Sequence, residues 1–251
     1  MKSLQWAAIL ISLSLLAQCH PKKTETKAKG IVAAKDTVTY ITFEKTATVN
    51  DSSDIGVDWK TEKPTSEFTL NGKKPLAYKF ELLNDSTAVL SQKVNRNWLE
   101  QDRFEFQPWH WIITEEGIVS QFEIKDFNND GNDDLVCLIS SNVNANEWVY
   151  IYLNNGSKLI KLYNTADEDY IWDNPQYNPK TKTINTELFS SAYGIANTAT
   201  YKLDDLIAKP LEKNESDSAT KSDAIINKTY IGKNGKWKLV KTETEEITEQ
   251  E

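Results

Sequence analysis

Histidine and cysteine are nearly missing from this 251-residue chain, two of each, and the only methionine is Met1. His20 sits in a polar N-terminal stretch, which leaves His110 as the single histidine in the body of the chain. On a strand it would face away from its neighbours Trp109 and Trp111, and a lone histidine so placed reads as a surface or core residue. No G-x-S-x-G elbow, H-E-x-x-H pair, phosphate-binding loop or Cys-His couple occurs, so the usual nucleophilic, zinc-hydrolytic and nucleotide-dependent sites lack their residues. Positive charge is also short, with 29 Lys and Arg against 37 Asp and Glu and a net charge of −8. Without a basic stripe the chain has no phosphate-binding face, which excludes nucleic acid as a partner. Helical periodicity is missing beyond the first residues; "LDDLIAKPL" is too short and is interrupted by Pro210.

What is present is a body of short β-forming runs. A composition of 39% hydrophobic and 26% charged residues is that of a folded globular chain. "STAVLSQKV", "IVSQFEIKDF", "DLVCLIS", "EWVYIYL", "TINTELFS" and "KWKLV" are rich in β-branched and aromatic residues, and several alternate apolar with polar. Asn-Gly pairs at 71–72, 155–156 and 234–235 predict hairpin turns with positive backbone angles, and Asn178-Pro179 predicts another turn. Together these predict one antiparallel, hairpin-rich all-β domain over 37–240. The polar stretch 212–224 reads as a long hairpin loop within it, and the acidic stretch 241–251 as a disordered tail.

The N-terminus has a different pattern. One lysine precedes an apolar run, Trp6 to Leu16, that is short for a membrane span and has the proportions of a secretory signal over 1–18. Leu16-Ala17-Gln18-Cys19 resembles the bacterial lipobox, which implies lipidation of Cys19 and attachment to the membrane; an ordinary signal peptide cleaved nearby is the alternative. Residues 19–36 are polar and aperiodic, as a flexible tether requires. If Cys19 carries lipid, only Cys137 remains and no intrachain disulfide can form. Cys137 lies in an apolar run with no basic neighbour, so an inert buried thiol is expected.

The densest chemistry is in "DFNNDGNDDLVC", 126–137. Side-chain oxygens recur at Asp126, Asn128, Asp130 and Asp134; Asn132 would offer its main-chain carbonyl, and Gly131 stands where a chain wrapping an ion must turn. Hard oxygens at this spacing suit Ca²⁺. Asp133, between ligand positions, is expected to point into solvent. The helix-loop-helix version of such a site needs Glu at the twelfth position, where this chain has Cys137. A metal-free Asn- and Asp-rich turn is the competing reading.

The run Asp126 through Leu135 matches D-x-[DN]-x-D-G-x-x-D-L and so resembles the calcium loops of FG-GAP and VCBS-type repeats, which join two strands of a propeller blade. With the lipobox and the hairpins of 75–240, the chain resembles small envelope lipoproteins with a truncated β-propeller fold. Some members of that group are periplasmic immunity proteins that plug an imported peptidoglycan hydrolase. The resemblance implies a β-propeller-like domain and a calcium-braced, membrane-anchored protein that binds a protein or glycan and performs no chemistry. Trp109, Trp111 and Tyr193 are the candidate partner-binding residues; packing in the core is their other reading. The alternative function is an envelope polysaccharide hydrolase with carboxylates distant in sequence, since adjacent pairs such as Glu115-Glu116 point apart on a strand.

Overall fold

The computed structural model describes residues 39–44, 63–107, 112–113, 117–189, 196–217 and 224–246, and every regular element among them is a β-strand. The described residues all fall in one unit, 36–251. Cys19, Trp109, Trp111 and Tyr193 lie outside the described residues, as do the signal and tether segments.

The first sheet is a simple meander of β2 (Thr65–Leu70), β3 (Leu76–Asn84), β4 (Thr87–Val94) and β5 (Asn97–Glu105). The second is ordered β1 (Thr39–Glu44), β7 (Gly117–Lys125), β8 (Asp134–Ser141), β9 (Glu147–Asn154) and β10 (Leu159–Lys161). Two short strands complete it: β6 (Ile112–Ile113) on β7 and β12 (Ile171–Asp173) on β9. The third runs β13 (Gln176–Asn178), β14 (Thr183–Phe189), β15 (Ala196–Asp204), β16 (Ile207–Asp217), β17 (Ala224–Lys233) and β18 (Lys236–Glu246). Pairing is antiparallel throughout except where β11 (Tyr163–Asn164) joins β16 in parallel.

The second sheet lies between the other two, and its sequence explains why. β8 is apolar at successive positions because both its faces are covered. Leu135, Cys137 and Ile139 enter a core shared with the first sheet, while Val136 and Leu138 enter a core shared with the third. β9 divides in the same way, with Tyr152 on one side and Val149, Ile151 and Leu153 on the other. The first core is aromatic: Phe80 meets Phe122 at 5.0 Å and Phe104 at 6.0 Å between ring centroids. The second centres on Trp172, whose indole N–H donates to the Leu162 carbonyl. Burying each such side chain is worth about 1.5–3 kcal/mol. Cys137 is fully buried, and that burial pushes its thiol far above the ordinary range.

Three local expectations need correction. Asn234 (φ 52°) and Gly235 (φ 76°) do form the two-residue turn between β17 and β18, but neither Asn71 nor Gly72 has a positive φ. Gly72 lies close to the neighbouring loop instead: a Cβ there would meet Asn132 Oδ1 at 2.5 Å, so that side-chain amide would have to shift. The stretch 212–217 is strand and not loop, because its polar side chains find partners within the sheet: Lys213 with Glu215 along β16 itself, and Ser216 Oγ with Asn227 Oδ1 across the ladder at 2.6 Å. β18 likewise continues to Glu246, so strand enters the stretch expected to be a disordered tail. Pro210, within β16, falls between the residues that pair β11 and those that pair β17, where a missing N–H is tolerated.

Candidate cation loop

β7 and β8 form a hairpin closed by the pair Lys125 and Asp134, and the residues between them make the loop. Asn129 (φ 57°) and Gly131 (φ 87°) take left-handed angles that fold the chain back on itself. Asp126 accepts the N–H of Asp130 at 3.0 Å through Oδ1 and that of Gly131 at 2.9 Å through Oδ2. Asn128 Oδ1 accepts the same Asp130 N–H at 3.1 Å, and Asn128 Nδ2 donates to Asp130 Oδ2 at 3.1 Å. These bonds tie the three side chains to one another and to the loop backbone. Asp130 Oδ1 also accepts the Asn132 backbone N–H and side-chain N–H, both at 2.8 Å.

Asp134 is placed differently. It is fully buried, with Oδ2 accepting the N–H of Phe127 at 3.0 Å and of Asn128 at 3.3 Å, and Oδ1 accepting that of Asn154 at 2.8 Å. Burial pushes its carboxyl up to about 7 from an ordinary 3.8; the charges of Asp130 and Asp126 add to this, and the N–H donors of Asn154 and Asn128 oppose it. A carboxylate offers about four lone-pair sites. Three are used here, so Asp134 braces the loop from within.

Asp133 does not point into solvent. Its Oδ2 accepts both the backbone N–H of Asn71 at 2.7 Å and its side-chain N–H at 2.8 Å, and its own N–H donates to the Asn71 carbonyl at 2.8 Å. The Lys73 N–H donates to Asn132 Oδ1 at 3.2 Å. The tip of the β2–β3 hairpin is thus clamped to the loop, and from the other side Asn154 Nδ2 donates to the Asp133 carbonyl at 3.1 Å. Phe127 packs on Tyr177 of the third sheet with centroids 6.1 Å apart. The hydroxyl of Tyr177 is raised by burial and then by the charges of Asp130 and Asp126. One loop touches all three sheets.

Sequence reasoning missed the clamps, Asn71 and Asn154. Both stand beside Gly-containing turns, so their amides read as turn residues. Among the described residues no group of three or more His, Cys, Asp or Glu side chains is placed to hold a metal ion. The loop's oxygen set mixes carboxylates with the Asn128 amide and the Asn132 carbonyl, a composition that fits a hard cation and offers nothing to a soft one.

A second feature adjoins the loop. A cleft of about 850 Å³ opens between the second and third sheets, with Phe127, Val136 and Val149 lining it beside Tyr40, Glu123 and Glu147. Tyr40 is 51% exposed, and the Glu123 charge is the first cause raising its hydroxyl. Lys125 pairs with Glu123 at 2.6 Å. Among the described residues no helix is long and apolar enough to cross a membrane. Compared with protein-family models, with curated proteins and with solved structures, the chain finds no match.

Proposed function

We propose that the loop holds one calcium ion through Asp126, Asn128, Asp130, the main-chain carbonyl of Asn132 and Asp134, and that the ion braces a β-domain built for binding. The observation that carries this reading is that the Asp126, Asn128 and Asp130 side chains are held close together in the loop, with Asp126 and Asn128 both accepting the Asp130 N–H and Asn128 donating to Asp130. Three aspartates close together repel, so a divalent cation relieves the loop where a metal-free turn would leave the charge in place. Calcium supplies charge neutralisation and coordination there; this chain's residues supply the fold around it.

Three sheets stacked face to face, each built on a run of consecutive antiparallel strands with β1, β11 and β12 as the departures from chain order, support a finer reading of the fold as an open arc of propeller blades. The lipobox-like Leu16-Ala17-Gln18-Cys19 supports attachment of this domain to the bacterial envelope through lipid on Cys19. There the domain binds a protein or glycan without turning it over, and inhibition of a peptidoglycan hydrolase is the form the family resemblance implies. The cleft beside Phe127 supplies a concave surface of ligand size for such contact.

Thermal unfolding of the full chain tests the ion. Calcium at about 100 times its dissociation constant stabilises by about 2.7 kcal/mol. The melting temperature should rise with calcium, fall back with chelator, and stay unchanged by either in Asp130→Ala. Capture of an envelope hydrolase by the anchored chain, with loss of that hydrolase's activity, would support the binding role. Turnover of a glycan by the isolated chain would replace it with the hydrolase reading.

A further inference from the structure

We infer that the outer edge of β18 is a self-association surface, pairing antiparallel with β18 of a second copy of this chain. The inference is independent of the cation loop. β18 ends the strand order of the third sheet, so β17 covers one of its edges and no described strand covers the other. From Leu239 to Glu246 every residue is exposed. Such an edge presents a row of unpaired N–H and C=O groups to any strand that can match it.

The charges along β18 are sorted in a way that chooses the partner. Lys238, Lys241, Glu243 and Glu245 pair with Ile231, Thr229, Asn227 and Ile225 of β17. Those four partners are two residues apart, so they share one face, and their cross-strand neighbours share it with them. A register shift beside Tyr230 leaves Val240 as the extra residue, which brings Lys238 onto the same face as Lys241. One face of the edge therefore runs from cationic to anionic along the strand.

A strand with this polarity repels a parallel copy and complements an antiparallel one. With a two-fold axis at Thr242, and with Leu239 and Val240 counted as one rung as in the ladder with β17, Lys241 of each copy stands opposite Glu243 of the other. Lys238 stands opposite Glu245. Symmetry makes each pair twice. Leu239 and Val240, 48% and 49% exposed, lie in the paired stretch and lose water on association. An edge of uniform sign would serve to keep copies apart; a sorted edge does the reverse. Pairing of one edge buries a small area, so the dimer is weak and salt-sensitive.

The test uses sedimentation equilibrium of the full chain with a charge-swapped pair of variants. Lys238→Glu/Lys241→Glu makes the strand anionic, and Glu243→Lys/Glu245→Lys makes it cationic. The unmodified chain should form a dimer at low salt that dissociates as salt is raised. Each variant alone should lose the dimer, and an equal mixture of the two should regain it. A chain that stays monomeric at every accessible concentration, or variants that each still self-associate, would overturn the inference. Should a variant fail to fold, the salt titration of the unmodified chain decides, since a dimer unaffected by salt also overturns it.

Discussion

The middle sheet and the outer strands of the third sheet are built on opposite principles. β8 is buried over most of its length and gains its place from apolar contact on both faces. β18 is exposed almost throughout and is held by its ladder with β17. The two differ in what specifies them. A one-residue slip of β8 would exchange two packed cores, so its register is fixed by side-chain shape, whereas that of β18 is fixed by its turn at Asn234-Gly235 and by its bulge.

The largest effect expected from this contrast is in the aromatic core. Phe80→Ala should cost about 3–5 kcal/mol in denaturant unfolding, because Phe80 is fully buried among Phe104, Phe122 and Phe68. A smaller loss would mean that the first and second sheets do not share that core.

Between these extremes lies the loop clamp. Asp133→Ala leaves the Asn71 backbone and side-chain N–H groups without their acceptor, and a charged hydrogen bond of this kind is worth about 1.5–3 kcal/mol. Hydrogen exchange at Asn71 should speed up in the variant while exchange within β8 stays slow; unchanged exchange at Asn71 would remove the clamp from the account.

Acidity gives a third handle. In excess chelator, Asp134 is raised to about 7 in the folded chain against an ordinary 3.8, so the folded state holds that proton more tightly. Its contribution to stability is fully present below about pH 4 and is lost as pH rises through about 7. Metal-free chain should therefore show a fall in stability over that window that Asp134→Asn lacks. An identical pH dependence in both proteins would contradict the burial of this carboxyl.

The smallest effect belongs to the edge. Lys241 and Glu243 are both largely exposed, so Lys241→Ala should change the stability of the monomer by no more than about 0.5 kcal/mol. A large loss there would erase the contrast between the two regions.

How legible these features were follows the same division. The apolar runs of β8 and β9 were plain in the sequence, because burial leaves its mark on composition, and the Asn- and Asp-rich run between β7 and β8 was legible as the turn that joins them. β16 beyond Glu212 and the outer half of β18 leave no such mark, since strands wetted on both faces need no apolar alternation, and their residues read as loop and tail. Asp133 was misread for another reason. Its partner Asn71 is 62 residues away in the chain, and nothing local distinguishes a carboxylate clamped by a distant turn from one left in solvent. The face-to-face stacking of the sheets was likewise not written locally; only the double-sided burial of β8 hinted at it.

Equilibrium dialysis of the full chain against calcium, followed by metal analysis, tests the central claim most directly. The account predicts about one calcium ion per chain, and none in Asp130→Ala, which removes a ligand from the middle of the oxygen set. A wild-type chain that emerges without bound calcium, or an Asp130→Ala chain that holds as much as the wild type, would contradict it.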